Sequence, residues 1–214
     1  MDPLRFVRQL PALFDDFPAS AEPRDPRFAE VLEAVPGLAR VNNLALLNLA
    51  ASLLEPGESY VEIGTFHGTS LIAAMLGNDG DFVGLDDFSF GDGDRGELER
   101  NLEAFELANR AAILEGDAFE LVPAGALGER QVGVYYYDNG HEYEQQLEGL
   151  RMIEPYLASR ALLIVDDSDW ERVGAATAAY LASQSRARLL LQLDGADRGS
   201  PAWWEGVQIL AWGA

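Results

Sequence analysis

The residues best suited to chemistry begin with Glu62, Gly64 and Gly68, set in the run Tyr60-Val61-Glu62-Ile63-Gly64-Thr65-Phe66-His67-Gly68-Thr69-Ser70. Ser59 to Ile63 has the alternation and β-branched content of a buried strand, and it ends in a glycine-punctuated turn. Thr69 to Leu76 then reads as an amphipathic helix through Leu71, Ile72, Met75 and Leu76. A strand-to-helix turn of this kind suits a nucleoside. Gly64 is free to take backbone angles closed to other residues, and Gly68, without a Cβ, lets the loop and the helix start approach a ligand. Asp81 to Asp86 is a second strand-like run. Its terminal acid lies 24 positions after Glu62, near the roughly 20-residue offset at which a carboxylate grips ribose hydroxyls. The plainer alternative makes the glycines ordinary turn residues and Asp86 a helix cap.

A second constellation follows: Asp138, His141 and the adjacent pair Asp166-Asp167. Strands ending just before Asp138 and Asp166 would lie roughly 4.8 Å apart and bring these carboxylates together. Such acids repel one another, so a cation, protonation or water must balance them. The oxygen-only set Asp138, Asp166 and Asp167 suits Mg²⁺, Ca²⁺ or Mn²⁺. Alternatively, Asp138 closes the nucleoside site while Asp166 and Asp167 cap the next helix. His141, with an ordinary pKa of about 6.5, can accept a hydroxyl proton at neutral pH, or it can sit at a helix start bonded to a carboxylate. His67, the other histidine, is confined by the glycine loop to a packing or cofactor-adjacent role.

Positioning these groups takes alternating strands and helices. Helical patterns cover Asn43 to Leu54, Gly96 to Ala108, Tyr143 to Tyr156 and Arg172 to Ser183. Further strands are expected at Ala111 to Glu115, Val132 to Tyr137 and Ala161 to Val165. The order implies an α/β fold, a doubly wound and mostly parallel sheet with helices on both faces. Arg188 to Leu193 and Gly206 to Trp212 are joined without a helix, which suggests an antiparallel closing pair. Trp203 and Trp204 in their connection either roof an acceptor pocket or pack inside. Tyr135, Tyr136 and Tyr137 should alternate between the sheet's two faces and belong mostly to the core. One domain is expected over 1–214, with 1–42, interrupted by Pro3, Pro11, Pro18, Pro23 and Pro26, as a cap or lid on a Rossmann-like core at 43–214.

Composition narrows the partners. The chain has 214 residues, 48% of them hydrophobic, enough for a sizeable core. Acids outnumber bases 36 to 15, the net charge is −21, and every base is Arg. That surface repels nucleic acid and anionic membranes, favours a cationic ligand, and is most simply a solubility or salt-adaptation trait. The absence of Cys excludes disulfides, zinc-thiolate sites and thiol nucleophiles. Met1 to Phe17 carries acids and no long apolar run, so neither a signal peptide nor a spanning helix is expected there, and the default expectation is a cytoplasmic protein.

Taken in order, these residues resemble the class I S-adenosylmethionine-dependent methyltransferases. The likeness is to the small O-methyltransferase-like group with E-x-G-x-x-x-G, similar to metal-dependent sugar and catechol O-methyltransferases. It runs from about Asn43 to Val173 and rests on Glu62-Ile63-Gly64 with Gly68, Asp86, Gly116-Asp117, Asp138-Asn139-Gly140-His141 with Tyr143, and Asp166-Asp167. The resemblance implies seven strands in the order 3-2-1-4-5-7-6, the seventh antiparallel. It implies S-adenosylmethionine held by Glu62, Gly64, Thr65, Gly68, Ser70, Asp86, Asp87, Asp117, Ala118 and Asp138. In that set Glu62 and Gly64 lie beneath the methionine and ribose, Asp86 binds the ribose, and Asp117 meets the adenine edge or merely caps a helix. It further implies Mg²⁺ or another divalent cation on Asp138, Asp166 and Asp167, the last replacing a commoner Asn, and His141 with Asp138 as the catalytic pair. The expected activity is O-methylation of a small molecule, without nucleic acid or membrane partners, and with homo-oligomer formation left open. Two other readings stand beside it. A nicotinamide-dependent oxidoreductase would share the ribose acid, but the loop lacks the middle glycine of G-x-G-x-x-G. A non-catalytic binding protein on the same fold is the other.

Overall fold

The computed structural model describes residues 1–19, 22–35, 37–195 and 203–213. Seven strands, β1 (Glu58–Ile63), β2 (Asp81–Asp86), β3 (Ala111–Glu115), β4 (Gln131–Tyr137), β5 (Leu157–Val165), β6 (Ala187–Leu193) and β7 (Val207–Trp212), form one sheet in the order β3-β2-β1-β4-β5-β7-β6. The neighbours from β3 through β5 are parallel, while β7 runs antiparallel to both β5 and β6. This is the order the resemblance implied and the antiparallel closing pair the sequence suggested.

Eight α-helices surround the sheet: α1 (Pro3–Gln9), α2 (Arg27–Ala34), α3 (Val41–Ser52), α4 (Thr69–Met75), α5 (Arg95–Ala104), α6 (Ala118–Leu121), α7 (Tyr143–Met152) and α8 (Glu171–Ser183), as counted among the described residues. Period-two alternation divides the strand side chains between two cores. Tyr60, Phe82, Val134, Tyr136, Leu162 and Ile164 face one core, with residues of α1 to α5. Val61, Val83, Tyr135, Tyr137, Leu163 and Val165 face the other, with residues of α6 to α8. Strands buried on both faces read as near-continuous apolar runs, which is why β4 and β5 stand out in the sequence.

Two helix ends differ from the expected ones. α5 stops at Ala104 because Glu106 adopts a left-handed φ of +59° and the Leu107 N–H turns back to the Leu102 carbonyl at 2.8 Å. This is a Schellman-type end built without glycine, with Leu107 buried at the turn. α7 stops at Met152, and Glu154–Tyr156 follows as a 3₁₀ turn, since Pro155 has no N–H to continue the helix.

The N-terminal segment packs as a structural layer: Phe6, Leu10, Phe14, Phe28 and Val31 are buried in the first core. Trp203, fully buried, meets the rings of Phe14 and Phe17 edge-on at 5.6 and 6.1 Å and donates Nε1–H to the Pro18 carbonyl at 2.9 Å. That contact fixes the end of the β6–β7 connection against residues 185 positions earlier. No helix among the described residues is long and apolar enough to cross a membrane.

Candidate active site

The sheet order reverses between β1 and β4, and there a cleft of about 640 Å³ opens at the carboxyl ends of the strands. Its floor is a close seam. The Gly64 N–H donates to the Leu85 carbonyl at 2.9 Å, and the Asp138 N–H donates to the Ile63 carbonyl at 3.0 Å. Gly64 has φ +91°, and a Cβ there would fall 1.8 Å from the Asp138 carbonyl oxygen, so only glycine closes this seam. Gly68, also left-handed at φ +92°, starts α4 without lining the cleft, and its role is the turn itself.

Asp86, at the end of β2, accepts the Phe66 N–H at 2.6 Å and the Phe88 N–H at 2.7 Å, one on each oxygen. It thereby ties together the loops after β1 and β2. A carboxylate offers about four acceptor positions, so two remain for hydroxyls in the cleft that Asp86 lines. Asp87 beside it accepts the Ser89 N–H and hydroxyl at 2.9 and 2.6 Å, and these bonds hold its pKa below the ordinary value. Asp117 caps α6 by accepting the Phe119 N–H at 2.8 Å and also lines the cleft, as do Thr65, Ser70 and Ala118. His67 is buried outside it, stacked on Phe66 at 3.8 Å with Nε2 3.2 Å from the Asp92 carbonyl.

Glu62 lies one layer deeper than expected. It is fully buried on the Tyr60 face of β1, accepting hydroxyls from Tyr60 and Ser70 at 2.8 Å each, and it reaches the cleft only through Ser70. Burial pushes its pKa up to about 7. The two hydroxyls oppose that rise, and the charge of Asp86 adds to it.

At the other end, Asp138, His141 and Asp167 converge, with ligand atoms all within 4.8 Å of one another. Asp166 does not join them. It is turned inward, accepting the Tyr136 hydroxyl on Oδ2 at 2.5 Å and the Asp167 N–H on Oδ1 at 3.0 Å. Burial, with the Asp167 charge, pushes its pKa up to about 7. The Tyr136 oxygen is also 3.2 Å from Asp138 Oδ2. Tyr136 has one proton to give, so a protonated Asp138 that donates back satisfies both contacts. Desolvation and the neighbouring acids raise the Asp138 pKa well above the usual carboxylate range, in the direction this requires. Protonation thus offsets much of the acid repulsion.

Asp167, at φ +51°, turns the other way and puts Oδ2 2.8 Å from His141 Nε2; Asp138 Oδ1 lies 4.0 Å from the same nitrogen. Asp167 Oδ1 and His141 Nε2 are buried without a well-directed hydrogen bond. For a cation, the donor set is therefore two carboxylates and an imidazole. Such a set suits Fe²⁺ or Zn²⁺ as well as Mn²⁺, whereas the expected oxygen-only trio suited Mg²⁺, Ca²⁺ or Mn²⁺.

The rim above His141 is apolar. Trp170, 43% exposed, lies 4.8 Å from the His141 ring, with Leu38 and Trp204 across the opening. A pin at Asp169 joins these walls. Its N–H donates to the Glu205 carbonyl at 2.8 Å, its Oδ2 accepts the Gly195 N–H at 2.6 Å, and Ser168 N–H meets the Gly206 carbonyl at 3.1 Å. Sequence reasoning placed Tyr135, Tyr136 and Tyr137 mostly in the core and gave Tyr136 no part in the site, although its position two before Asp138 puts both on one face. Trp170 carried no periodic signal at all.

A family model described as a methyltransferase domain matches residues 61–168. No curated protein matches the chain. Among solved structures, it is similar to the O-methyltransferase from Bacillus cereus in complex with SAH, at 14% identity over 99% of this chain and 100% of that one, with TM-score 0.67. It is also similar to the O-methyltransferase TomG from Streptomyces achromogenes, involved in tomaymycin synthesis and solved in complex with SAM, at 19% identity, 99% and 98% coverage, and TM-score 0.67. A TDP-rhamnose 3′-O-methyltransferase of calicheamicin biosynthesis matches at 22% identity, 99% and 93% coverage, and TM-score 0.62. Those likenesses speak for the shared fold. The family match, running from β1 to the acids after β5, goes further: the chain belongs to this methyltransferase-domain family.

Proposed function

We propose that this protein transfers a methyl group from S-adenosylmethionine to a hydroxyl of a small-molecule acceptor. The observation that supports the reading is one cleft lined by Gly64 and Asp86 at one end and by the paired His141 and Asp167 at the other, an arrangement suited to gripping a nucleoside and accepting a proton. When bound, the cofactor supplies an activated methyl on a sulfonium, so the protein's share is alignment and proton removal. His141 takes the hydroxyl proton on Nδ1, while Asp167 Oδ2, 2.8 Å from Nε2, orients the ring and stabilises the imidazolium. Trp170 and Leu38 exclude water from the acceptor side. The solved relatives named as O-methyltransferases, one of them acting on a TDP-sugar, support oxygen as the target and a small molecule as the acceptor. The net charge of −21 favours neither nucleic acid nor anionic membranes as partners.

A second reading of the same end is that Asp138, His141 and Asp167 hold a divalent cation, which would hold acceptor oxygens; the convergence of their ligand atoms favours it. His141 Nε2 then serves as a ligand, Nδ1 carries the ring proton, and the imidazole cannot also be the proton acceptor. Isothermal calorimetry with S-adenosylmethionine and NAD⁺ tests the main proposal. Binding of the first and not the second is expected, and no heat with S-adenosylmethionine would remove it.

A further inference from the structure

Arg40 immediately precedes α3 in an extended conformation and is half-buried. Its guanidinium carbon lies 6.0 Å over the Trp204 ring, and its Nε is buried with no hydrogen-bond partner. Other arginines here do find acids: Arg24 with Asp15, Arg27 with Asp25 and Arg130 with Asp81 are each paired at 2.7 Å. Among the described residues Arg40 has no such partner, in a chain with 36 acids to 15 bases. Holding a partly desolvated guanidinium without a counter-charge is costly. A site kept that way is a site awaiting an anion.

Its place says which anion. Gly37, Leu38 and Ala39, just before Arg40, line the cleft, and so does Trp204. The acids lining the cleft, among the described residues, are Asp86, Asp87, Asp117, Asp167 and Glu205, with Asp138 protonated among them. They disfavour a doubly charged phosphate, and Arg40, which adjoins the lining residues Ala39 and Trp204, is a cation set just behind them. Stacking on an indole covers the guanidinium face and leaves its edge N–H groups free, the geometry that grips a planar carboxylate with two parallel hydrogen bonds. Trp204, at φ +46°, is held beside the fully buried Trp203, so the indole is fixed in advance.

We propose that Arg40, stacked on Trp204, is a carboxylate receptor at the cleft wall. The carboxylate comes either from the aminocarboxylate tail of the cofactor or from an acidic group on the acceptor; the first source rests on the proposed methyl-transfer reading.

Calorimetry on Arg40→Gln separates the sources. S-adenosylhomocysteine carries the tail, and 5′-methylthioadenosine lacks it. A loss of about tenfold or more for the first with less than twofold for the second assigns the cofactor tail. With both unchanged, the same loss for 4-hydroxybenzoate but not its methyl ester, titrated with S-adenosylhomocysteine present, assigns the acceptor. Arg40→Lys, which keeps the charge, should recover part of the affinity in whichever pair responds and serves if the Gln variant fails to fold. Equal weakening within each pair, or no change in either, overturns the proposal. Failure of the unaltered chain to bind S-adenosylhomocysteine removes the methyl-transfer reading, and the benzoate pair alone then decides.

Discussion

Replacing Glu62 by Gln should make the protein more stable in alkaline solution and leave it nearly unchanged in acid. Glu62 is fully buried, and burial pushes its pKa from 4.5 to about 7. Between those values the folded protein keeps a proton that the unfolded chain has released, so stability falls as pH rises. At about 1.4 kcal/mol per tenfold difference in proton affinity, this costs about 3 kcal/mol by pH 8 and almost nothing at pH 4. Gln matches the shape of Glu, and one of the Tyr60 and Ser70 hydroxyls can keep donating to its amide oxygen while the other turns to accept its N–H, so both contacts survive. Guanidinium denaturation of both proteins at pH 5 and pH 8 measures the effect. The variant should match the wild type to within about 1 kcal/mol at pH 5 and exceed it by about 1–3 kcal/mol at pH 8. Asp166, also pushed up to about 7, gives the wild type a slope of the same sign that the variant retains, so the difference between the two isolates Glu62. A stability difference identical at both pH values would refute the reasoning.

His141→Ala should lower turnover by about 100-fold or more while S-adenosylhomocysteine affinity stays within about twofold; steady-state kinetics with calorimetry checks it, and an unchanged rate would leave His141 as no more than the partner of Asp167. Gly64→Ala should cost about 3 kcal/mol or more, since its Cβ would strike the Asp138 carbonyl in a backbone conformation alanine avoids. Thermal melting reads this directly, and a wild-type melting temperature would mean that the seam is loose. EDTA should abolish methylation if the cation reading holds, with Mn²⁺ restoring it better than Mg²⁺, as an imidazole-containing donor set requires. Full activity in EDTA would eliminate that reading.

Much of the framework was legible because buried parallel strands announce themselves. β2 and β3 begin and end where the apolar runs do, at Asp81–Asp86 and Ala111–Glu115. The places of Gly64, Asp86 and Asp117 on the cleft were legible as a group because such places are tied to strand ends and helix starts. What escaped the sequence depended on backbone hand or on burial depth. Asp166 and Asp167 look equivalent on paper. The left-handed turn at Asp167 sends one carboxylate toward His141 and leaves the other under Tyr136, and nothing in a pair of aspartates foretells it. Glu62 shares the face of Tyr60, two residues before it, so its place beneath α4 followed from strand parity, although its distance from the opening did not. Arg40 and Trp170 sit outside any period, and only the folded chain brings Trp170 into the cleft and Arg40 beside it.

The pin at Asp169 has an evolutionary corollary. Trp170 on one side and Trp204 with Glu205 on the other hang from the same knot of backbone bonds, whereas the cofactor-side loops after β1 and β2 are tied separately at Asp86. A closing hairpin grafted from a relative together with its matching pin would arrive with a ready-made wall and leave the Asp86 tie undisturbed. In such a scaffold one wall of the cleft can be inherited as a cassette.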